Sequence, residues 1–228
     1  GFWNGLPIKT DLYSLAKCLG ELGVWVRFHY VYPYPNVDRL IELMASGLIL
    51  PYIDVPFQHA NPQILKSMKR PANAENNLER INSWRSICPD LIIRSTFIVG
   101  FPGETEEQFN DLLDFLRLAK IDRVGCFIYS DVDGATANSL ENQVPEKVKR
   151  ERHDRFMMVQ NEISKKKLLD KVGSIQTVLI DQVDEEFAKA RSYANAPEID
   201  GNIFLKNPEG LEPGDMLDVK IEYSEDYD

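Results

Sequence analysis

The chain has 228 residues, 43% of them hydrophobic, enough for a real core in one or two domains. A formal net charge of -10 argues against general binding to nucleic acid or anionic membranes and for soluble, basic partners. No apolar run approaches the roughly 20 residues a membrane span needs, and no signal peptide is recognisable.

The opening GFWNGLP has no initiator Met and reads as the start of an excised fragment. Thr10 to Leu22 carries Leu12, Leu15, Leu19 and Leu22 at helical spacing, with Thr10 as cap and Gly23 as stop. VWVRFHYVYP then alternates as a strand. Arg27 and His29 share one of its faces, as around a polar cavity; Val24, Val26, Phe28 and Tyr30 take the other. Asn36 to Ser46 is a second amphipathic helix, ended by Gly47. Tyr52 to Phe57 is the next strand and runs into Gln58-His59-Ala60-Asn61-Pro62. Asn61 caps a helix with Pro62 at its first position, so Gln58 and His59 fall in a short strand-to-helix loop. That helix closes on Lys66, Lys69 and Arg70, cations favoured at its negative end, and another spans Ala74 to Ile87.

Leu91 to Glu104, LIIRSTFIVGFPGE, organises the chain: a buried strand, a glycine-proline-glycine turn and an acidic helix start. Ile92, Arg94, Thr96 and Ile98 share one strand face. A charge and a hydroxyl in an apolar strand need partners, because burying them unpaired costs several kcal/mol. Gly100 and Gly103 are expected to let the backbone approach another group, with the helix starting at Glu104. RVGCFIYS, residues 123 to 130, is the last strand of the alternating set, followed by the turn-rich DVDGATAN. The first 130 residues thus alternate helix and strand, giving four parallel strands, too few to close a barrel.

Val144 to Leu169 is a long polar helix with Val148, Phe156, Val159, Ile163 and Leu168 as its apolar stripe. After it come IQTVLIDQV, EFAKARSYA, GNIFLK and DMLDVKIEY, separated by turn signals, the pattern of a small antiparallel barrel. The expected division is residues 1-143, a bridging helix 144-170, and a β-domain 171-228. From Lys165 to Asp228, eight Lys/Arg face fifteen Asp/Glu, a net -7. RNA binding needs phosphate neutralisation, so this tail suits a basic protein better. Cys18, Cys88 and Cys126 lie far apart, forming neither a disulfide framework nor a cluster-ligand spacing, which points to an intracellular, reducing setting. Each has a core or boundary reading.

PFQHANPQILKSMKRP, IIRSTFIVGFPGETEEQF, RVGCFIYSDVDGA and RSYANAPEIDG together resemble the methylthiotransferase branch of the radical S-adenosylmethionine (SAM) enzymes, over essentially the whole chain. Within the branch, the chain is more similar to the group that modifies an aspartate of small-subunit ribosomal protein twelve. The group that modifies transfer-RNA adenosine typically shows Gln-Ser-Gly-Ser where this chain has Gln58-His59-Ala60-Asn61. The resemblance implies an α/β fold: part of a radical-SAM (β/α) TIM-like barrel, strands three to six, followed by a small antiparallel, OB-like β-barrel called TRAM. It implies S-adenosyl-L-methionine across the carboxyl ends of the strands. Gln58 and His59 match the region at the ribose and sulfonium end, and Arg94 and Thr96 face the methionyl moiety. By the same resemblance, the Ile98-Val99-Gly100 backbone matches the adenine-binding segment, and Phe127 and Tyr129 would flank the adenine ring.

The full-length family members carry two 4Fe-4S clusters. The Cys-x3-Cys-x2-Cys loop of the first and the cysteines of the second have no counterpart here, so the fragment is expected to be metal-free and inactive alone. In the complete enzyme the resemblance implies hydrogen abstraction from the aspartate β-carbon by a 5′-deoxyadenosyl radical, sulfur insertion from the auxiliary cluster, and methyl transfer from a second S-adenosylmethionine. The expected partner is the basic ribosomal protein, docked on the acidic TRAM domain in the cytoplasm. The alternatives are a transfer-RNA adenosine methylthiotransferase and a non-catalytic adaptor that binds the ribosomal protein.

Overall fold

The computed structural model describes residues 2–7, 11–32, 37–70 and 74–225. Strands β1 (Phe2–Trp3) and β2 (Leu6–Pro7) pair antiparallel across Asn4 and Gly5, both at positive φ, the tight hairpin turn such a pair favours. Helix α1 (Leu12–Gly20) is capped by Asp11, whose carboxylate accepts from the Ser14 amide at 2.9 Å. The expected cap, Thr10, lies outside the described residues. The leucine stripe expected to be inward is largely exposed at Leu12, Leu15 and Leu22, and Cys18 is exposed with it. The helix packs instead through Ala16 and Gly20. A Cβ on Gly20 would come within 2.5 Å of the Leu48 carbonyl oxygen, so only glycine allows that approach.

The strand expected over VWVRFHYVYP shrinks to one parallel bridge, Phe28 with Ile53, supported by backbone bonds from Leu50 to Val26 and from Val31 to Asp54. Helix α2 (Asp38–Ala45) buries Leu40, Ile41, Leu43 and Met44; Asn36, expected at its start, is outside the described residues. Strand β3 (Tyr52–Asp54) is shorter than expected because Pro56 has no N–H to donate. The ladder resumes at Gln58, bridged to Phe97. Helix α3 (Pro62–Ser67) starts as its sequence indicates, with Asn61 Oδ1 accepting from the Gln63 and Ile64 amides. Arg70 is no free helix-end cation: it donates to the Pro56 carbonyl.

Helix α4 (Ala74–Ile87) leads into β4 (Ile92–Val99), followed by α5 (Glu106–Ala119) and β5 (Arg123–Ile128). Strands β3, β4 and β5 form a parallel sheet in that order. On one face Ile53, Val55, Phe57, Ile93, Phe97 and Val99 pack with Trp84, Leu112, Leu116 and Phe156 of the helices. The other face is open along Arg94, Thr96 and Ile98, which are half-buried among the described residues, and closed over Tyr52 and Asp54, which are buried. Helix α5 begins two residues later than expected, because Thr105 and Gln108 form a reciprocal capping box.

Helix α6 (Glu146–Leu169) lies on β5 and α5. The fully buried positions are Lys149, Arg152, Phe156, Gln160 and Ser164, a mostly polar row beside the expected apolar stripe, of which Phe156 is buried and Val159 and Ile163 pack against the core. Three of the buried polar groups have partners: Gln160 donates to the Ile121 carbonyl, Lys149 to the Tyr129 carbonyl and Arg152 to Glu104. At the rim, Glu106 accepts from Arg155. That bond, followed by the charges of Arg155 and Arg152, holds the Glu106 carboxyl below its ordinary 4.5. A folded-state pKa below the unfolded one stabilises above pH 4.5 and fades as pH falls through the lowered value. Acid titration should therefore loosen the α5–α6 contact in that window, and 0.5 M salt should shrink the effect because the pair is solvent-exposed. Hydrogen exchange of α5 and α6 against pH reads this out, and Glu106→Gln should abolish it.

Strands β6 (Ile175–Val183), β7 (Phe187–Ser192), β8 (Ile203–Lys206) and β9 (Met216–Lys220) form an antiparallel sheet in the order β8-β7-β6-β9. Val178, Ile180, Ala188 and Ala190 make its core. The sheet-to-sheet connection is the 193–201 loop: Ala196 packs with Tyr52 and Ile92 at the amino ends of β3 and β4.

Candidate functional site

Two polar clusters flank the open face, one at each end of the strands. Towards the amino end of β4, Arg94 Nη1 donates to Asp54 at 3.1 Å, His29 lies 3.6 Å from the same carboxylate, and Tyr52 Oη donates to Asp200 at 2.6 Å. Arg27 covers the Tyr52 ring at 4.7 Å and donates to the Tyr193 carbonyl at 3.0 Å. Arg27 and His29 therefore do share a polar face. Burial, and next the charge of Asp200, push the Tyr52 phenol well above its ordinary range, so it remains a donor.

At the carboxyl ends the GFPGE segment folds back on itself. Glu104, fully enclosed, accepts from the Gly100 amide at 3.0 Å and from Arg152 at 2.7 Å. His59 Nδ1 accepts from the Asn61 amide at 2.9 Å, which leaves the proton on Nε2, 3.4 Å from Glu104. Gly100 does approach another group closely, but that group is Lys149: a Cβ there would lie 2.4 Å from Lys149 Cγ. Gly103 has nothing within 4 Å and serves the turn through its φ of +83°.

The expected site residues divide accordingly. Arg94, Thr96 and Ile98 line the open face, and the register sets Gly125 beside Thr96 and Phe127 beside Ile98. Gln58 joins them through its backbone, donating to the Thr96 carbonyl and accepting from the Ile98 amide. His59 does not reach the open face. Counting alternately from Ile53 through Val55 and Phe57 puts it with the helix-packed set, and its ring is wholly buried against Glu104. Tyr129 is also held by the framework: its ring meets Phe101 edge-on at 5.2 Å and its hydroxyl donates to Asn138. In the Ile98-Val99-Gly100 stretch, the Ile98 amide, the Val99 carbonyl and the Gly100 amide all bond within the protein. Tyr52, Asp54, Glu104, Arg152 and Asp200 were missed as site residues. For Asp54 a signal existed, a carboxylate between apolar neighbours in YIDVPF. For Asp200 and Arg152 none did, since their partners lie 148 and 48 residues away.

The open strip suits a molecule with a carboxylate at one end and a flat ring at the other. Arg94 and Phe127 stand four residues apart by register, about 13 Å of strand rise. Between them the missing Cβ of Gly125 leaves a recess whose nearest atoms are a Phe127 ring carbon at 3.8 Å and Thr96 Oγ1 at 4.0 Å. The Phe127 ring is 62% exposed, an available stacking surface. These residues fit S-adenosylmethionine. They do not fit an iron–sulfur cluster: the three cysteines lie on separate elements, and no group of three or more His, Cys, Asp or Glu among the described residues could hold a metal ion. Burial also pushes the Cys126 thiol far up, away from the thiolate that ligation requires.

Comparison with known proteins adds family evidence. The family model of the radical SAM superfamily matches residues 6–116, and that of the TRAM domain matches 172–228. The chain is 62% identical over 228 residues to the ribosomal protein uS12 methylthiotransferase RimO of Methylobacillus flagellatus. It is 59% identical over 231 residues to the protein of that name from Acinetobacter baumannii, and 59% over 228 to that of Vibrio cholerae. All of this chain is covered each time, but only 52%, 52% and 48% of the three relatives. The chain spans about half the length of the curated relatives it matches.

Proposed function

We propose that the chain, which belongs to the radical SAM superfamily and its methylthiotransferase branch, is part of an enzyme adding a methylthio group to the β-carbon of an aspartate in ribosomal protein uS12. The observation that carries this is identity near 60% to uS12 methylthiotransferases running through both the sheet and the TRAM domain. When bound, S-adenosylmethionine supplies the radical that takes hydrogen and the methyl group that is transferred. This chain's residues bind and orient it. Arg94 anchors the amino-acid carboxylate, Thr96 offers a hydroxyl beside it, Gln58 and the Ile98 backbone border the strip, and Phe127 stacks on the adenine. In this reading the parallel sheet is part of a (β/α) barrel whose remaining strands come from the other half of the protein.

The acidic TRAM domain docks the basic substrate, with its net -7 over residues 165–228 as the attraction. Among the described residues no helix is long and apolar enough to cross a membrane, and the reading places the enzyme in the cytoplasm with its ribosomal substrate. The test is mass spectrometry of uS12 after anaerobic incubation with the full-length protein, S-adenosylmethionine, a reductant and sulfide. One methylthio group on an aspartate is expected. The same group on transfer-RNA adenosine, with uS12 unchanged, would overturn the substrate.

A further inference from the structure

The 193–201 loop of the β-domain carries Asp200 near its end, a side chain only 2% exposed although it comes from a surface connection. Its carboxylate accepts from Tyr52 Oη at 2.6 Å and from the Ala196 amide at 2.9 Å, and lies 3.9 Å from Arg94 Nε. The loop is itself fixed: Asn195 accepts from Ser192 and donates to the Gly201 carbonyl at 2.8 Å. Arg27 adds a second tie between this loop and the sheet through the Tyr193 carbonyl. So a rigid loop of one domain carries a charge into the floor of the other.

From these contacts we infer that Asp200 is a positioning residue for Arg94, and that the β-domain loop thereby completes the seat for the carboxylate end of S-adenosylmethionine. The guanidinium is planar, with its donors in a fixed fork. Asp54 holds the Nη1 side at 3.1 Å and Asp200 stands by Nε at 3.9 Å, so the direction of Nη2 is determined. Among the described residues Nη2 has no protein partner, and it is the edge left to a ligand. Without the charge of Asp200, Asp54 alone orients the fork and the guanidinium can swing about that one contact. The two domains then make one site rather than a catalytic unit with a separate docking module. The inference rests on the open face being the cofactor's seat.

The experiment is titration calorimetry of S-adenosylhomocysteine with the full-length protein, which reads binding without turnover. Asp200→Asn keeps an oxygen for Tyr52 and removes the charge. It should weaken binding about tenfold with Tm nearly unchanged, and Asp200→Glu should recover part of the loss. Arg94→Lys should weaken binding at least as much, and the double variant should bind no worse than Arg94→Lys alone, because both act through one contact. If Asp200→Asn lowers Tm and leaves the Kd unchanged while Arg94→Lys weakens it, Asp200 merely clasps the domains and the inference fails with the cofactor reading intact. Should Arg94→Lys leave the Kd unchanged, or the unaltered protein bind nothing, the cofactor reading itself is overturned.

Discussion

Glu104→Ala should lower stability by about 3–5 kcal/mol, the cost of stranding one member of a buried ion pair. Arg152 would keep its charge 6% exposed, left with only the half-exposed Glu106 carboxylate 3.5 Å from its Nε, and the Gly100 amide would lose its acceptor. His59 would face a void. Urea denaturation should show a fall in midpoint with little change in slope. The double variant Glu104→Ala/Arg152→Leu should be less destabilised than the single one, since the uncompensated charge is gone. A loss below about 1 kcal/mol in the single variant would mean that water reaches this cluster and that it is no real anchor. The consequence for function is direct: the cluster ties the GFPGE turn, the strand-to-helix loop at His59 and helix α6 into one rigid rim at the carboxyl ends of the strands.

Gly100→Ala ranks second, at about 2–5 kcal/mol. Two costs add: the left-handed conformation at φ +74°, about 1–2 kcal/mol for a residue with a Cβ, and overpacking against Lys149, about 1–3 kcal/mol. The second is separable. Lys149→Ala removes the Cγ that lies 2.4 Å from the new methyl, so the double variant should lose less than the sum of the two single ones. Gly103→Ala is the control, with positive φ but open space, and should cost only the conformational part. If Gly100→Ala and Gly103→Ala prove equally costly in thermal melts, the close approach of Lys149 is unimportant.

Some of this was legible in the residues and some was not. The Asn61-Pro62 start, the α4 bounds, strand β4 with Arg94 and Thr96 on one face, and the strands of the acidic tail all emerge from short-range patterns. Helix α6 misled because its buried row is chosen by what it meets, the Glu104 carboxylate and the carbonyls of Ile121 and Tyr129. The α1 leucines misled likewise: the residues the helix buries fully are Ala16 and Gly20, with Tyr13 partly buried beside them. His59 shows a rule available but unused, since strand alternation continues past the strand's end into the loop.

By itself the sequence determined the local elements, the alternation that puts Arg94, Thr96 and Ile98 on one strand face, and the sign of the tail's charge. These depend on neighbours within about four residues and on composition, both written in linear order. Only the tertiary structure decided that His59 belongs to a buried rim with Glu104 and Arg152, and that Asp200 enters the floor beneath Arg94. Those choices follow from packing and from satisfying buried charges, and the partners of a buried charge are set by distance in space rather than along the chain.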